Sequence, residues 1–557
     1  MRKRKFWGWG WEDEAADPAQ LQMIEAALVG LLGMQELTTV KPPRIGELLL
    51  RPPRVRAPSR LSSILSDEPH ERAAHCYGKS YRDLVRAFAR DFAAAPDWVA
   101  FPQSEAELVA VLDHCASEKL AAIPYGGGSS VCGGVEPAVG DAFAGAISID
   151  MRRMKRVLEV DELSHAARIQ AGVLGPELEA QLRPHGLTLR HYPQSFEFSS
   201  LGGWIATRSA GHFATLYTHI DELVEGVRVV TPTGTLETRR LPGYGAGPSA
   251  ERLFIGSEGI LGIISEAWMR LFERPRFRAS ATASFPDFAS GVRAVRALAQ
   301  SGLNPQNCRL LDGLEALMNG VGSADRTVVF VGFESHDHPL HAWLGRAAEL
   351  CRAAGAELPE TALRYSSSPL PEGSSSGAAD LKSPSPSSRS ASMERDEMAG
   401  AWRRAFLRAP YLRDELVARG VFVETFETAV TWDRFETLHA AVMEAAGRSA
   451  RETGGGSALV TCRITHVYPD GAAPYFTVVC PARRGAELLQ WQTIKSAITE
   501  AMLHAGGTVT HHHAVGRDFR PWYERQRPEG FARALAGAKT ALDPRGIMNP
   551  GVLLGTE

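Results

Sequence analysis

The sequence predicts an α+β fold, and three observations support that class. Short apolar strands alternate with helices between about residues 97 and 271, and strands and helices alternate again after residue 276. Hydrophobic residues make up 44% of the chain and charged residues 22%, which is typical of globular domains. Since one domain usually takes about 150 residues, the length of 557 residues predicts three or four folding units, or fewer large ones.

Residues 1–94 predict an N-terminal region that wraps over a larger body. A head rich in Trp and Gly comes first, and a helix is predicted over residues 20–32. Residues 41–60 are rich in proline, which fixes φ and removes a backbone donor, so we expect this stretch to be extended. Its basic charges are scattered, which favours a solvated arm over a membrane-binding surface.

Residues 95–275 predict the first large domain. Ser104 and Glu107 form a capping-box pattern, which predicts that a helix begins there and runs to Glu118. Residues 227–232 and 234–238 predict a β-hairpin. The other predicted elements are strands over 99–102, 121–125, 146–150, 156–160 and 166–171, and a helix over 176–185.

Residues 276–500 predict a second domain of α+β type, and residues 501–557 predict a C-terminal segment. Residues 366–392 are dominated by Ser and Pro and contain almost no large apolar side chains, so they predict a disordered loop. The remaining predicted strands cover 277–285, 327–333, 421–428, 459–468 and 474–479, and the predicted helices cover 286–301, 486–505 and 529–542.

Charge and cysteine content exclude several classes of protein. The net charge is −3, from 61 basic and 64 acidic residues, without the basic excess expected of a nucleic-acid-binding protein. The seven cysteines show no CxxC spacing, which indicates a reduced environment and no zinc site. Neither a secretory signal nor an apolar run long enough to span a bilayer is apparent, so we expect a cytoplasmic protein.

The sharpest local pattern is a glycine cluster that follows the predicted strand 121–125. Consecutive glycines let backbone N–H groups surround an anion, and neighbouring hydroxyls add donors, so the cluster predicts a phosphate-binding loop. Its spacing matches neither a Walker loop nor a Rossmann fingerprint, and a flexible turn is the alternative interpretation. The candidate ligand-binding residues are Pro124, Gly126, Gly127, Gly128, Ser129 and Ser130.

Two further segments rich in small and hydroxyl residues, 193–211 and 256–267, follow in order. With the glycine loop they resemble the PCMH-type FAD-binding domain of the vanillyl-alcohol oxidase/PCMH superfamily. The resemblance implies that the loop holds the FAD pyrophosphate and that the other segments line the flavin ring and its ribityl chain. No histidine lies near the glycines, which implies noncovalent FAD. The residues that it assigns to FAD outside the loop are Pro193, Ser195, Gly202, Gly203, Thr207, Arg208, Ser209, Gly211, Tyr217, Ile220, Glu258, Gly259, Gly262 and Ile263.

Three more segments, 5–10, 423–434 and 510–516, indicate one family within that superfamily. The chain is similar to alkyldihydroxyacetonephosphate synthases, flavoenzymes of ether-lipid synthesis, from about residue 5 to 554 apart from the Ser-rich loop. This implies a two-lobed protein with an α+β cap domain and a C-terminal segment that returns to the flavin site.

The same resemblance implies exchange of the acyl group of acyl-dihydroxyacetone phosphate for a long-chain alcohol, without net redox change. Lipid-like substrates follow from that reaction, while contact with a membrane surface and a homodimer are left open. The alternative is an FAD-dependent oxidoreductase of a 2-hydroxy acid or related alcohol, because bacterial flavin oxidoreductases share much of the pattern. A lipid-binding protein without activity is a third class, which the set of catalytic candidates disfavours.

Those catalytic candidates are implied by the resemblance, residue by residue. Tyr475 falls where the family carries an essential tyrosine, which suits proton transfer. Arg413 matches an arginine that meets an anionic substrate group, although it could instead form a surface salt bridge with Asp414 or Glu415. Arg309 matches another important arginine, with either a direct or a supporting role.

The adjacent histidines His511, His512 and His513 could bind a metal ion or transfer protons. In a strand the outer two rings would face one way and the central ring the other, so three ligands for one metal ion would need an irregular loop. Imidazoles that titrate near neutrality suit proton transfer. We therefore predict His512 and His513 near the flavin and no metal site. Thr218 stands where the family usually has glycine.

Overall fold

The computed structural model describes residues 2–14, 17–34, 37–217, 219–366 and 397–555. The predicted disordered loop 366–392 lies outside this part, apart from Ser366, which is the last residue of the strand Arg364–Ser366. Thr218 also lies outside it. Among the described helices, none has the length and apolar character needed to cross a bilayer. The fold class is confirmed as α+β, whereas the limits of the four predicted regions stay predictions.

The N-terminal region contributes helices and a Trp/Gly head that pack against the rest of the molecule. The first helix, Pro18–Leu32, begins at Asp17, whose carboxylate accepts from the Ala19 N–H, and it ends at Gly33. The Trp9 N–H donates to the buried Asp414 carboxylate at 2.8 Å, which attaches the head to the helix Glu397–Ala418. The other elements are short helices over Ile45–Glu47, Ser59–Leu61, Pro69–Ala74 and Tyr81–Phe88.

Sheet A has four strands and forms the first layer of the lobe that is predicted to bind FAD, which we call the flavin lobe. Three of them are parallel, and the helix Glu105–Glu118 makes the crossover between two. The Ser104 hydroxyl accepts from the Glu107 N–H at 3.3 Å, so the predicted cap forms. In spatial order the strands are Leu65–Ser66, Trp98–Ala100, Gly145–Asp150 and Leu120–Tyr125.

Sheet B has five antiparallel strands and forms the second layer of the flavin lobe. Its apolar face packs against helices, one of which contains residues of the segment 193–211. The predicted hairpin forms its edge. The strands in order are Val157–Asp161, Ala166–Gln170, Ile263–Arg270, Val224–Thr231 and Gly234–Glu237, and the helices are Gly175–Leu182, Leu201–Thr207, Ala214–Tyr217 and Ile220–Leu223. Leu187–Thr188 and Phe272–Glu273 form a separate two-stranded pair beside it.

Sheet C is the eight-stranded antiparallel sheet of the second lobe. Its strands in order are Arg364–Ser366, Phe277–Phe285, Thr327–Ser335, Asn307–Leu311, Leu459–Val467, Gly471–Pro481 and Val421–Glu427, with Val430–Thr431 pairing beside Gly471–Pro481. The helices packed on it are Phe288–Gln300, Gly313–Met318, His341–Ala353, Glu397–Ala418, Trp432–Gly454 and Glu487–His504.

The C-terminal segment returns to the flavin lobe through backbone hydrogen bonds. The Ala122 N–H donates to the Ile547 carbonyl and the Asn549 N–H donates to the Ala122 carbonyl, both at 2.9 Å, so the chain end joins sheet A. The N–H groups of Arg517 and Asp518 both donate to the Cys132 carbonyl, just after the glycine loop. The histidine triplet is thereby carried beside that loop. The remaining helices are Arg520–Gln526 and Glu529–Leu542.

Candidate active site

A cleft between the flavin lobe and sheet C brings most of the predicted residues together; we call it the active-site cleft. The glycine loop forms one wall, and sheet C forms the other together with His512 and His513. The predicted cofactor-binding residues that line it are Pro124, Gly126, Gly127, Gly128, Ser129, Ser130, Pro193, Ser195, Gly202, Gly203, Thr207, Ser209, Gly211, Glu258, Gly259, Gly262 and Ile263. Trp9, from the N-terminal head, also lines it and was not predicted.

The glycine loop lies so close to its neighbours that side chains are excluded. A Cβ on Gly127 would lie 1.7 Å from the Phe198 carbonyl oxygen, and one on Gly126 would lie 2.1 Å from the Ser200 Oγ. Gly128 has a φ of +68° and abuts the Tyr125 hydroxyl. The backbone itself therefore faces the cleft, which is the arrangement that suits a pyrophosphate group.

Three residues predicted to bind the cofactor lie elsewhere. The Arg208 guanidinium turns away from the cleft and pairs with Asp221 at 2.8 Å. The Tyr217 ring packs edge-on against Phe272, with 4.7 Å between the ring centroids. Ile220 is buried in the apolar cluster behind sheet B. An ion pair and apolar packing therefore place these three side chains outside the cleft, and their assignment to FAD stays a prediction.

Glu258 lines the cleft, but its carboxylate is directed to the C-terminal segment. It accepts from the Val515 N–H at 2.9 Å and from the Gly516 N–H at 2.8 Å. Burial raises the pKa of Glu258 to about 7, and the two N–H groups oppose that rise. This side chain therefore attaches the histidine-bearing segment to the flavin lobe.

Five of the six predicted catalytic residues border the active-site cleft: Arg309, Arg413, Tyr475, His512 and His513. The sixth, His511, lies one layer behind them and borders a second cleft instead. The triplet does not form a strand but bends, so its neighbouring rings point into two different clefts. The prediction that His512 and His513 lie near the flavin concerns the two rings that border the active-site cleft, and the catalytic role of His511 stays a prediction.

Tyr475 is buried on the strand Gly471–Pro481 with charged and aromatic neighbours. The Arg463 guanidinium lies over its ring, 3.8 Å from the centroid, and the His512 ring is stacked at 6.1 Å. Burial raises the pKa of Tyr475, and the Arg463 charge opposes that rise. The phenol is therefore protonated at neutral pH and lies beside groups that can stabilise its loss of a proton.

Arg413 lines the active-site cleft and forms no salt bridge with its sequence neighbours Asp414 and Glu415 among the described residues. Its Nη2 donates to the Lys79 carbonyl, while Asp414 accepts from the Trp9 N–H and Glu415 pairs with Arg419 at 2.7 Å. The alternative of a surface salt bridge with Asp414 or Glu415 is therefore wrong. Its buried Nε has no hydrogen-bond partner among the described residues, so it can bind an anion.

Arg309 is buried beside a second guanidinium. Its Nη2 donates to the His212 carbonyl at 3.2 Å, and Arg463 nearby pairs with Glu315 at 2.6 Å. Burial and the Arg463 charge lower the pKa of Arg309 to about 9. This wall of the cleft therefore carries positive charge that an anionic substrate would stabilise.

Glu427 was not predicted as a site residue, yet it fixes the histidine triplet. Its buried carboxylate accepts from the backbone N–H groups of His511 at 2.7 Å, His512 at 3.2 Å and His513 at 2.9 Å. Burial disfavours its charge, but His512 and His513 hold the pKa of Glu427 well below its usual range. The signal in the sequence is a carboxylate at the end of an apolar strand, Val421–Glu427.

Changing Glu427 to Gln should destabilise the fold by about 3 kcal/mol at pH 7, because the amide cannot accept all of these bonds. The folded pKa is lowered, so this stabilisation is present above the unfolded value of about 4.3 and is lost as the pH falls below it. We expect the difference in Tm between Glu427→Gln and the unaltered protein to shrink on acidification.

The matched control is Glu444→Gln, which removes an exposed pair with Arg448. A change of less than about 0.5 kcal/mol is expected there. Equal Tm values for Glu427→Gln and Glu444→Gln at pH 7 would contradict the structural role of Glu427.

His466 was also missed, and it lies close to two histidines of the triplet. One ring nitrogen from each of His466, His511 and His512 lies within 4.8 Å of the others, a spacing that a metal ion can use. The His466 ring nitrogens, however, contact the Gly211 carbonyl at 3.2 Å and the Thr465 hydroxyl at 3.1 Å. We interpret the cluster as hydrogen-bonded, and the expectation of no metal stays a prediction.

Comparison with known proteins agrees with this architecture. A family model described as FAD binding domain matches residues 96–239, and one described as FAD linked oxidases, C-terminal domain, matches residues 274–553. A solved p-cresol methylhydroxylase has the same fold, with a TM-score of 0.62 at 13% identity over 88% of this chain and 93% of that one. The PCMH-type lobe and FAD as the cofactor are thereby confirmed.

Two further relatives are similar over nearly the whole chain. An alkyldihydroxyacetonephosphate synthase of Dictyostelium discoideum is 32% identical over 89% of this chain and 79% of its own length. A solved alkyldihydroxyacetonephosphate synthase has a TM-score of 0.78 at 25% identity, covering 98% of both chains. The chain therefore belongs to the alkyldihydroxyacetonephosphate synthase family.

Proposed function

We propose that this protein exchanges the acyl group of an acyl-dihydroxyacetone phosphate for a long-chain alcohol, with FAD as its cofactor. One observation carries the proposal: Tyr475, His512 and the guanidinium groups of Arg309 and Arg413 meet in the cleft that the glycine loop borders. A proton-transfer group and cations therefore face the same space as the flavin site. An acyl exchange on a phosphorylated ketone needs both.

The residues present fit FAD. Backbone of Gly126, Gly127 and Gly128 lies at the cleft surface, where any side chain would clash, and Ser129 and Ser130 border it. When bound there, FAD supplies the electrophilic ring system that activates the ketone substrate without net redox change. The expectation that FAD is held noncovalently stays a prediction.

The chain's own residues bind the anion and move the proton. The substrate phosphate carries negative charge, and the free Nε of Arg413 together with buried Arg309 offers cationic donors in the cleft wall. The Tyr475 hydroxyl is protonated, so it can donate to a substrate oxygen, and the adjacent His512 ring can accept a proton in return. Contact with a membrane surface, a homodimer and a cytoplasmic location stay predictions.

Changing Arg413 to Ala should raise KM for the phosphorylated substrate by about 10- to 100-fold, the equivalent of one lost charge-assisted hydrogen bond. Arg413→Lys should recover only part of that loss, because lysine lacks the planar fork. Steady-state kinetics measure KM for both variants. Arg346→Ala, at an exposed arginine that pairs with Glu349, is the matched control and should leave KM unchanged. An unchanged KM in Arg413→Ala would remove Arg413 from substrate binding.

The experiment that tests the function has two arms. In the first, purified holoenzyme receives palmitoyl-dihydroxyacetone phosphate and hexadecanol without an electron acceptor, and release of fatty acid with formation of an ether product is expected. In the second, the holoenzyme receives a panel of 2-hydroxy acids with a dye acceptor. Turnover confined to the second arm would assign the protein to the oxidoreductases instead.

A further inference from the structure

A second cleft borders the histidine triplet at His511 and shares no lining residue with the active-site cleft. His219, Tyr468 and His511 line it, whereas His512 borders the active-site cleft. Two charged residues in its wall, Arg208 and Glu222, are exposed, with side-chain exposures of 61% and 56%. The second cleft is therefore in contact with solvent.

An unbroken row of hydrogen bonds joins the two clefts. The His512 Nδ1 lies 3.0 Å from the His511 Nδ1, and the His511 Nε2 lies 2.7 Å from the Tyr468 hydroxyl. That hydroxyl also bonds to the Nε2 of His219. The row crosses three separate parts of the chain and uses both nitrogens of the His511 ring.

We propose that His512, His511, Tyr468 and His219 form a proton relay between the active-site cleft and the second cleft. The inference deepens the proposed function and rests on it. Alkyl exchange turns an alcohol O–H into an ether and releases a carboxylic acid, which ionises at neutral pH, so each turnover yields one proton. That proton has to leave a buried site.

Each step of the relay moves one proton between neighbouring groups of the row. A proton arrives at the Nε2 of His512, and the Nδ1 proton of that ring passes to the Nδ1 of His511. The Nε2 proton of His511 passes to the Tyr468 oxygen, and the Tyr468 proton passes to the Nε2 of His219. His219 then releases its Nδ1 proton into the second cleft. Rotation of the hydroxyl and tautomer exchange restore the starting arrangement.

The charges around the row keep its members in the form that a relay needs. Burial lowers the pKa of His219, opposed by Asp221, and burial, with a smaller contribution from the neighbouring His512, holds the pKa of His511 well below its usual range. Burial raises the pKa of Tyr468. Each neutral ring then offers one N–H donor and one acceptor nitrogen. Arg208 and Glu222 face His219, while Glu427 and His466 face His511.

The first test interrupts the row at its centre. Tyr468→Phe removes only the hydroxyl, so we expect kcat for alkyl exchange to fall by about 10- to 100-fold with KM and flavin content unchanged. The solvent deuterium isotope effect on kcat should rise, because proton exit becomes limiting. Tyr365→Phe, at an exposed tyrosine of sheet C, is the matched control and should change neither value.

The second test replaces the solvent end of the row. His219→Ala should lower kcat by a similar factor, and added imidazole or 4-methylimidazole should restore part of it, because a small base can occupy the vacated site in the second cleft. Tyr468→Phe should not be restored by either base. A purely structural role for His219 predicts no such rescue.

The results separate this inference from the proposed function. If the unaltered holoenzyme shows no alkyl exchange, the function fails, and the relay is then tested on the proton released during hydroxy-acid oxidation. If flavin-loaded Tyr468→Phe keeps kcat within two-fold of the unaltered protein on the working reaction, the relay is overturned. A loss in His219→Ala that imidazole does not restore also overturns it. If His219→Ala fails to bind flavin, the Tyr468→Phe result decides.

Discussion

Tyr475→Phe is expected to lower alkyl exchange by about 10²–10⁴-fold, the usual contribution of a well-placed acid or base. The change removes one oxygen atom and keeps the ring that packs under Arg463 and beside His512. Flavin content and Tm should therefore be nearly unchanged, while the proton step fails. Stopped-flow and steady-state assays of fatty acid release measure the loss.

Tyr244→Phe is the control for that experiment. Tyr244 is half-buried and donates to Glu251 at 3.0 Å, far along the chain from the catalytic strands. Its loss should leave the exchange rate unchanged. If Tyr475→Phe retains more than about a tenth of the activity, the tyrosine is a packing residue and the acid–base assignment is wrong.

Gly127→Ala should abolish FAD binding. The added methyl would lie 1.7 Å from the Phe198 carbonyl oxygen and 2.6 Å from its carbon, so the loop or the facing backbone has to move. Either movement displaces the N–H groups expected at the pyrophosphate. The purified variant should be colourless, whereas the unaltered protein should be yellow and should release free FAD on acid treatment.

Gly345→Ala provides the matched glycine control. Gly345 lies in the helix His341–Ala353, and a Cβ there meets nothing within 4 Å, so this change should be neutral or stabilising. A yellow Gly127→Ala protein with full flavin content would show that the loop does not hold the pyrophosphate. Flavin that stays attached to the acid-denatured unaltered protein would contradict noncovalent binding.

Local patterns predicted much of the fold. Strand 277–285 and helix 529–542 have the predicted limits, and the hairpin strands Val224–Thr231 and Gly234–Glu237 lie within three residues of theirs. Alternation, turns and caps are encoded by neighbouring residues, so such elements can be predicted. The helices Glu397–Ala418 and Trp432–Gly454 were not predicted. The first contains Pro410, which normally argues against a helix, and packing on sheet C outweighs that local signal.

The candidate site was predictable where a motif acts through its own backbone. The glycine loop is such a case, since consecutive glycines are visible in the sequence. In the structure they are required by close contacts with Phe198 and Ser200. The orientation of Arg208 was not predictable, because it depends on the ion pair with Asp221. Glu427, at the end of one strand, and Tyr468, just after another, contact the triplet from distant parts of the chain, so only the folded structure identifies them.

The measurement that tests the central claim most directly follows an oxygen atom. Holoenzyme receives acyl-dihydroxyacetone phosphate and hexadecanol labelled with ¹⁸O, without an electron acceptor, and mass spectrometry locates the label. We predict that the ether product carries the label, that the released fatty acid carries none, and that the flavin is oxidised at the end of the reaction. Label in a new ester of the fatty acid, or no product without an acceptor, would contradict alkyl exchange at this site.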